Sequence, residues 1–311
     1  MKIGVSMFVT DYSIGPGELA QAAEERGFES LWMPEHTHIP VSRKSPWGGG
    51  PVLPDYYKET LDPFMALTAA AVATKRLKLA TGICLVVERD PIHTAKQVAT
   101  LDVLSAGRVL FGIGGGWNAE EMANHGTVFE TRFALMRERI EAMKAIWAND
   151  VAEYRGAHVA IEPMWCRPKP VQKPHPPIWI GGESKAAIRR TIQFADVWYP
   201  GNNSQTRPLD TPQRLGESIA HVKQACKTAG RDPASLGVGL LVQNYFEWGD
   251  HEVNDGSARR MFTGTSEQMA ADARALEKIG VGHVTLRLGG NSAAEAVERI
   301  ERFAKEVIGA I

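Results

Sequence analysis

Cysteine is scarce in this chain. Its 311 residues include three thiols, Cys84, Cys166 and Cys226. They are too few and too scattered for a disulfide framework or a zinc knuckle, which points to a reducing compartment. An excess of one charge is also missing. Lys and Arg together number 35 against 36 Asp and Glu. With no basic tract, a nucleic-acid surface is not expected. Long apolar runs are absent as well: the most apolar helical stretch, 64–73, is Ala-rich and too short to span a bilayer. The first residues enter a strand pattern at once, Lys2–Phe8, with no secretory leader pattern ahead of it. These absences lead us to expect a soluble, cytoplasmic chain with no membrane partner. No internal repeat or low-complexity tract is present.

What the chain does have is apolar content, 44% of it, enough for a large core, arranged as strands and helices in strict alternation. Eight short strand patterns read as Lys2–Phe8, Ser30–Met33, Leu77–Ile83, Arg108–Ile113, Ile178–Ile180, Asp196–Tyr199, Gly237–Val242 and Val284–Leu288. Each is followed by a helical pattern. Several helices start on a cap with Pro behind it, as at Asp62-Pro63, Asp90-Pro91 and Thr211-Pro212. Eight such pairs predict an α/β fold, a (β/α)8 TIM barrel, as one domain over 1–311. Stretches 39–61, 150–176 and 247–263 break the rhythm and read as insertions after strands 2, 4 and 7. Tyr154–His158 reads as a hairpin turn within the second of them.

In such a barrel the chemistry gathers at the C-terminal ends of the strands. Strand 2 ends in Glu35-His36-Thr37-His38 and strand 3 in Thr81-Gly82-Ile83-Cys84. Strand 4 ends in Gly114-Gly115-Gly116-Trp117-Asn118, strand 5 in Gly181-Gly182-Glu183-Ser184, and strand 7 in Gln243-Asn244. The strand 5 segment has two readings. One is an ordinary strand-to-helix turn with a serine cap. The other is an anion cup, with glycines allowing close backbone approach and the helix start presenting free N–H groups. Glu35-His36-Thr37-His38 lacks the further ligands that a metal site needs. His36 either packs at the strand end or hydrogen-bonds a cofactor or substrate oxygen and handles a proton. Glu35 and Glu183 are formal candidates for a glycosidase pair, whose separation a sequence cannot fix. The run 112–117 reads Gly-Ile-Gly-Gly-Gly-Trp and fails the dinucleotide fingerprint, because Trp117 stands where the last Gly belongs. Cys84 and Cys226 lack a His partner in sequence and read as packing residues. Trp47, Tyr56, Tyr57, Trp117 and Trp198 hint at a planar or apolar ligand, although aromatics also serve as barrel packing.

Taken in order, Tyr12–Pro16, Leu31–Pro40 (LWMPEHTHIP), Leu79–Ile83 (LATGI), Asp90–Leu104 (DPIHTAKQVATLDVL), Gly107–Asn118 (GRVLFGIGGGWN) and Ile178–Ser184 (IWIGGES) resemble the bacterial luciferase-like family. Within it they are similar to the oxidoreductases that use the deazaflavin coenzyme F420. The resemblance implies a barrel with a flavin or deazaflavin ring at its mouth, and it places His36 near that ring. It also implies a non-proline cis peptide in Thr81-Gly82-Ile83, at Gly82–Ile83, behind the ring. Gly114, Gly115 and Trp117 would lie beside the cofactor, and Gly181, Gly182, Glu183 and Ser184 would form its phosphate cup. A homodimer is implied too. Sugar-phosphate dehydrogenases of that family carry an acid in the loop after strand 4. Here that loop reads Gly-Gly-Gly-Trp-Asn, with Glu120 and Glu121 further on, so a sugar phosphate is not expected.

The expected activity is therefore hydride transfer between F420 and a small organic substrate, with the cofactor supplying the redox step and the protein position and electrostatics. His36 is the expected catalytic residue. A reduced-FMN monooxygenase shares most of these motifs and is the alternative; FMN reacts with oxygen, whereas the deazaflavin reacts poorly with it. A non-catalytic cofactor-binding barrel is a third reading.

Overall fold

The computed structural model describes residues 1–204, 208–243, 247–248, 258–290 and 292–311. Eight parallel strands make a closed barrel: β1 (Lys2–Ser6), β2 (Ser30–Met33), β3 (Lys78–Cys84), β4 (Val109–Ile113), β5 (Ile178–Ile180), β6 (Val197–Trp198), β7 (Gly237–Val242) and β8 (His283–Arg287). Around the barrel they follow the order β1-β8-β7-β6-β5-β4-β3-β2. All eight strands read from the sequence are present, with ends shifted by up to two residues. Their continuous apolar runs belong to strands buried on both faces; every residue of β2, β4 and β5 is buried.

Local chemistry starts the helices where the sequence places them. Asp62 accepts from the N–H groups of Phe64 and Met65 and opens the helix Pro63–Ala73. Asp90 accepts from His93 N at the start of Pro91–Leu104, and Thr211 from Arg214 N at the start of Pro212–Thr228. Thr265 and Gln268 form a reciprocal capping box before Ser266–Lys278. Among the described residues no helix is long and apolar enough to cross a membrane.

The chain divides into two compact units. One comprises Met1–Met7, Leu19–Trp32 and Trp179–Ile311. Its core includes Trp32, stacked on Tyr199 at 4.6 Å between ring centroids and edge-on to Trp179 at 4.9 Å. His283 joins this cluster through Ser30, whose Oγ lies 2.9 Å from His283 Nε2 and accepts from Trp32 Nε1 at 2.6 Å.

The other unit comprises Phe8–Glu18 and Met33–Ile178. Here buried Arg108, just before β4, donates to the carbonyls of Ala71, Thr74, Leu77 and Ser105. It thereby ties the end of Pro63–Ala73 to the start of β4. The long helix Arg132–Ala148 leads into an antiparallel hairpin, Val151–Arg155 with Ala160–Trp165, turning at the expected residues. Glu138 holds that turn by accepting from the N–H groups of Ala157, His158 and Val159. The 39–61 stretch is not wholly irregular: it holds a short helix, Tyr56–Glu59. Of the expected insertion 247–263, residues 249–257 lie outside the described residues, as does Asn244.

Candidate functional site

His36 follows β2 directly, and its side chain is 6% exposed. Its Nδ1 lies 2.7 Å from Glu121 Oε2. A carboxylate only accepts, so His36 Nδ1 carries the proton and donates it to Glu121. The other oxygen, Glu121 Oε1, accepts from Thr37 N at 3.0 Å. Glu121 is fully buried. It sits on the short helix Ala119–Asn124, which Asn118 caps by accepting from Glu121 N at 3.2 Å.

The acid that meets His36 thus stands on the short helix that follows the loop after β4. Glu120, the preceding residue, turns the other way and holds the 39–61 stretch. It accepts from Lys44 N at 2.8 Å, from Ser45 N at 3.0 Å and from the Ser45 hydroxyl. These bonds, the Ser45 hydroxyl first, pull its carboxyl down to about 2. Successive helical residues point about 100° apart, so two adjacent acids serve two different purposes. The spacing Asn118-x-x-Glu121 is the signal that could have found this arrangement, since it matches an N-cap followed by an acid three residues on.

Aromatic rings surround His36. Trp117 meets it edge-on with centroids 5.6 Å apart, and Tyr57 lies at 5.3 Å. Trp47 donates from Nε1 to the Tyr57 hydroxyl at 3.1 Å. Tyr56 stacks on Tyr57 at 5.2 Å. Trp198 is different: it is fully buried in the other unit, where its Nε1 donates to Gly182 O at 2.9 Å. It supports the strand 5 turn and does not line a binding surface.

Glu35 is taken out of catalysis by its partners. One oxygen accepts from Leu85 N at 2.6 Å and the other pairs with Arg89, which also reaches Asp62 at 2.7 Å. This buried ion pair ties the end of β2 to the segment after β3. His38 is not simply solvated: Nδ1 faces the Thr37 hydroxyl at 2.9 Å and Nε2 the Asn124 amide at 2.7 Å. The Thr37 hydroxyl also meets His125 Nε2 at 2.7 Å. All three cysteines are buried, and burial pushes the Cys84 thiol well up, with Glu35 adding to it.

The Gly82–Ile83 peptide is cis, as the resemblance implies, and the register of β3 against β4 shifts between Thr81 and Cys84. Thr81 donates its hydroxyl to Gly112 O at 2.7 Å, so it clamps β3 to β4. The Ile83 side chain lies where a Cβ on Gly114 would be. Gly115 likewise leaves room for Phe133, whose Cε1 would lie 2.6 Å from an added Cβ.

In the first unit, the turn after β5 has the features of an anion cup. Gly182 has φ +98, a conformation that favours glycine. A Cβ on Gly181 would lie 2.7 Å from Tyr199 O. Ser184 is exposed and caps the helix Lys185–Phe194, accepting from Ala187 N at 3.1 Å. Its hydroxyl proton remains for another acceptor. Glu183, between them, is half-buried. These residues fit a phosphate group: a permissive backbone, a hydroxyl and a helix start together.

The chain matches the family described as luciferase-like monooxygenase over residues 16–307. It belongs to that family. A curated relative, the uncharacterized protein Rv0953c of Mycobacterium tuberculosis, is 41% identical over 247 residues, 78% of this chain and 84% of the relative. Among solved structures, monooxygenase RslO1 from Streptomyces bottropensis is similar with a TM-score of 0.74 and 18% identity, over 99% of both chains. The coenzyme F420 dependent tetrahydromethanopterin reductase from Methanopyrus kandleri has a TM-score of 0.74 and 19% identity, over 99% of this chain and 98% of that one. At these identities the structural likeness establishes the barrel fold. Solved structures of this fold thus include one named as a monooxygenase and one named as F420-dependent.

Proposed function

We propose that this luciferase-like chain is an F420-dependent oxidoreductase that moves a hydride between the deazaflavin and a small substrate, reducing a carbonyl or unsaturated group or running the reverse reaction. The buried His36–Glu121 pair carries this reading, because hydride transfer to or from a carbonyl needs a proton moved at the oxygen. The bound cofactor would supply the hydride donor or acceptor. Glu121 fixes the His36 proton on Nδ1, which leaves Nε2 with its lone pair. Nε2 takes the proton from a substrate hydroxyl during oxidation and returns it during reduction. The carboxylate of Glu121 stabilises the imidazolium formed in between. Trp117 and Tyr57 hold the ring's orientation by packing against it. Thr81, Gly82, Ile83, Gly114 and Gly115 form a close-packed surface for the ring system. Gly181, Gly182, Ser184 and the backbone N–H of Glu183 take the phosphate of the cofactor. One structural neighbour is named as F420-dependent, which supports the choice of cofactor.

The alternative, a reduced-FMN monooxygenase, is supported by the family description and by a neighbour named as a monooxygenase. The resemblance also supports a homodimer, and the three scattered cysteines a cytoplasmic location. The test is turnover in air with a panel of alcohols and carbonyl compounds. F420 is supplied in the oxidised and reduced states, and reduced FMN is run in parallel. Substrate-dependent change in the deazaflavin absorbance without oxygen uptake is the expected result. Oxygen uptake that needs reduced FMN and substrate would overturn the assignment.

A further inference from the structure

The rings around His36 include one polar group that the proton transfer at Nε2 does not use, the hydroxyl of Tyr57. The stretch that carries it is fastened to the site. Glu120 accepts from Ser42 Oγ, Lys44 N and Ser45 N, and Ser45 Oγ accepts from Ala119 N at 3.0 Å. Trp47 follows two residues later, and its ring fills the space where a Cβ on Gly49 would be. The short helix Tyr56–Glu59 then brings Tyr57 back to His36, with ring centres 5.3 Å apart. Phe8, just after β1, packs on Tyr57 with centres 4.6 Å apart. Phe8, Trp47, Tyr57 and Trp117 are all half-buried, so each leaves part of its ring uncovered.

An indole N–H only donates. Trp47 Nε1 donates to Tyr57 Oη at 3.1 Å, so the phenol oxygen accepts there and its own proton points elsewhere. Among the described residues no acceptor takes that proton. The chemistry at His36 calls for such a donor. With Nδ1 protonated towards Glu121, the neutral ring offers a ligand only the lone pair of Nε2. That lone pair receives an alcohol O–H, but it cannot hold a carbonyl oxygen, which also only accepts. A ketone therefore needs a second group that donates. The 5.3 Å between the His36 and Tyr57 rings is about the span of two hydrogen bonds made to one oxygen.

We propose that Tyr57 is the substrate-binding donor of this site: its O–H donates to the carbonyl or alcohol oxygen served by His36 Nε2, while Phe8, Trp47 and Trp117 flank the carbon part. The substrate class is then a ketone or secondary alcohol with an aromatic or cyclic apolar body. Aromatic walls favour a flat ring through stacked and edge-on contacts as well as through burial. Tyr57 keeps its proton throughout, and His36 is the group that exchanges one. This deepens the hydride-transfer reading and rests on it for its catalytic meaning. Binding of the ketone does not rest on it.

The test is calorimetric titration of the full chain with acetophenone and with acetone. It is run with and without oxidised F420, which has no hydride to give a ketone. Wild type should bind acetophenone at least about tenfold more tightly than acetone, because only the former has a ring to bury. Tyr57→Phe keeps the ring and should weaken acetophenone by about five- to tenfold, the scale of one net hydrogen bond. Trp47→Phe leaves the hydroxyl but removes the N–H that orients it, and should give a smaller loss. The infrared carbonyl stretch of bound acetophenone should lie at lower frequency in wild type than in an apolar solvent, and Tyr57→Phe should reverse the shift. Equal affinity of wild type and Tyr57→Phe, equal affinity for the two ketones, or an unshifted carbonyl in wild type would overturn the proposal. The wild-type measurements and Trp47→Phe decide the matter if Tyr57→Phe fails to fold. Ketone binding as described with no F420-dependent turnover would remove the redox reading and keep this site. Turnover of acetophenone with kcat/KM unchanged in Tyr57→Phe would remove Tyr57 and keep the redox reading.

Discussion

His36 has Nδ1 committed to Glu121 at 2.7 Å, and among the described residues Nε2 is the ring nitrogen left for a ligand. Replacing it with Ala should lower turnover by roughly 10²–10⁴-fold, the usual scale of a lost general acid or base. Cofactor affinity should stay within a few-fold, so steady-state kinetics and binding measured together check this. Equal loss of both would make His36 a binding residue. Glu35, by contrast, is structural. Glu35→Ala should destabilise the fold by about 3–5 kcal/mol, because it leaves Arg89 without its buried partner; urea unfolding reads this directly. The two acids of Glu120-Glu121 are separable in sequence only through the Asn118 cap. The fact that one holds Ser45 and the other His36 depends on a helix of six residues whose phase is set by Asn118. Glu88 was equally hidden: it stands in Val-Val-Glu-Arg-Asp, and only long-range packing buries it.

Elements whose ends depend on neighbouring residues were legible. Asp62, Asp90, Thr211 and Thr265 cap their helices as their sequence contexts predict. Caps act within one turn, so a short window of sequence contains the whole cause. Ser184 belongs to the same class, and Ser184→Ala should destabilise the helix Lys185–Phe194 by about 1 kcal/mol. The same change should weaken a phosphate-bearing cofactor by about 1 kcal/mol, one net hydrogen bond. Titration with the cofactor and with its dephosphorylated form separates the two effects: only the first should lose affinity. The site around His36 was less legible, because its partner stands 85 residues away in sequence. The cis Gly82–Ile83 peptide was anticipated from family resemblance and not from the residues themselves.

At the scale of the whole molecule, two buried groups bound the pH range of stability from opposite sides. Burial holds His283 down to about 3 from 6.5. In that interval the unfolded chain binds a proton that the native ring refuses, so stability falls as pH drops from 6.5 towards 3. Burial raises Glu88 from 4.5 to about 9. There the native state keeps a proton that the unfolded chain releases, so stability falls as pH rises across that interval. Urea melts of Glu88→Gln against wild type should therefore diverge in the variant's favour with rising pH. A constant difference would argue against a neutral Glu88. The alternation of eight strands with helices was visible throughout, since the apolar strands carry their own signal and their order is covalent. The measurement that bears most directly on the function is an equilibrium titration of the purified chain with F420 and with FMN, followed by tryptophan fluorescence. Saturable, tight binding of F420 with weak binding of FMN is the predicted result. Tight binding of FMN alone would contradict the assignment and place the chain with the oxygen-using members of its family.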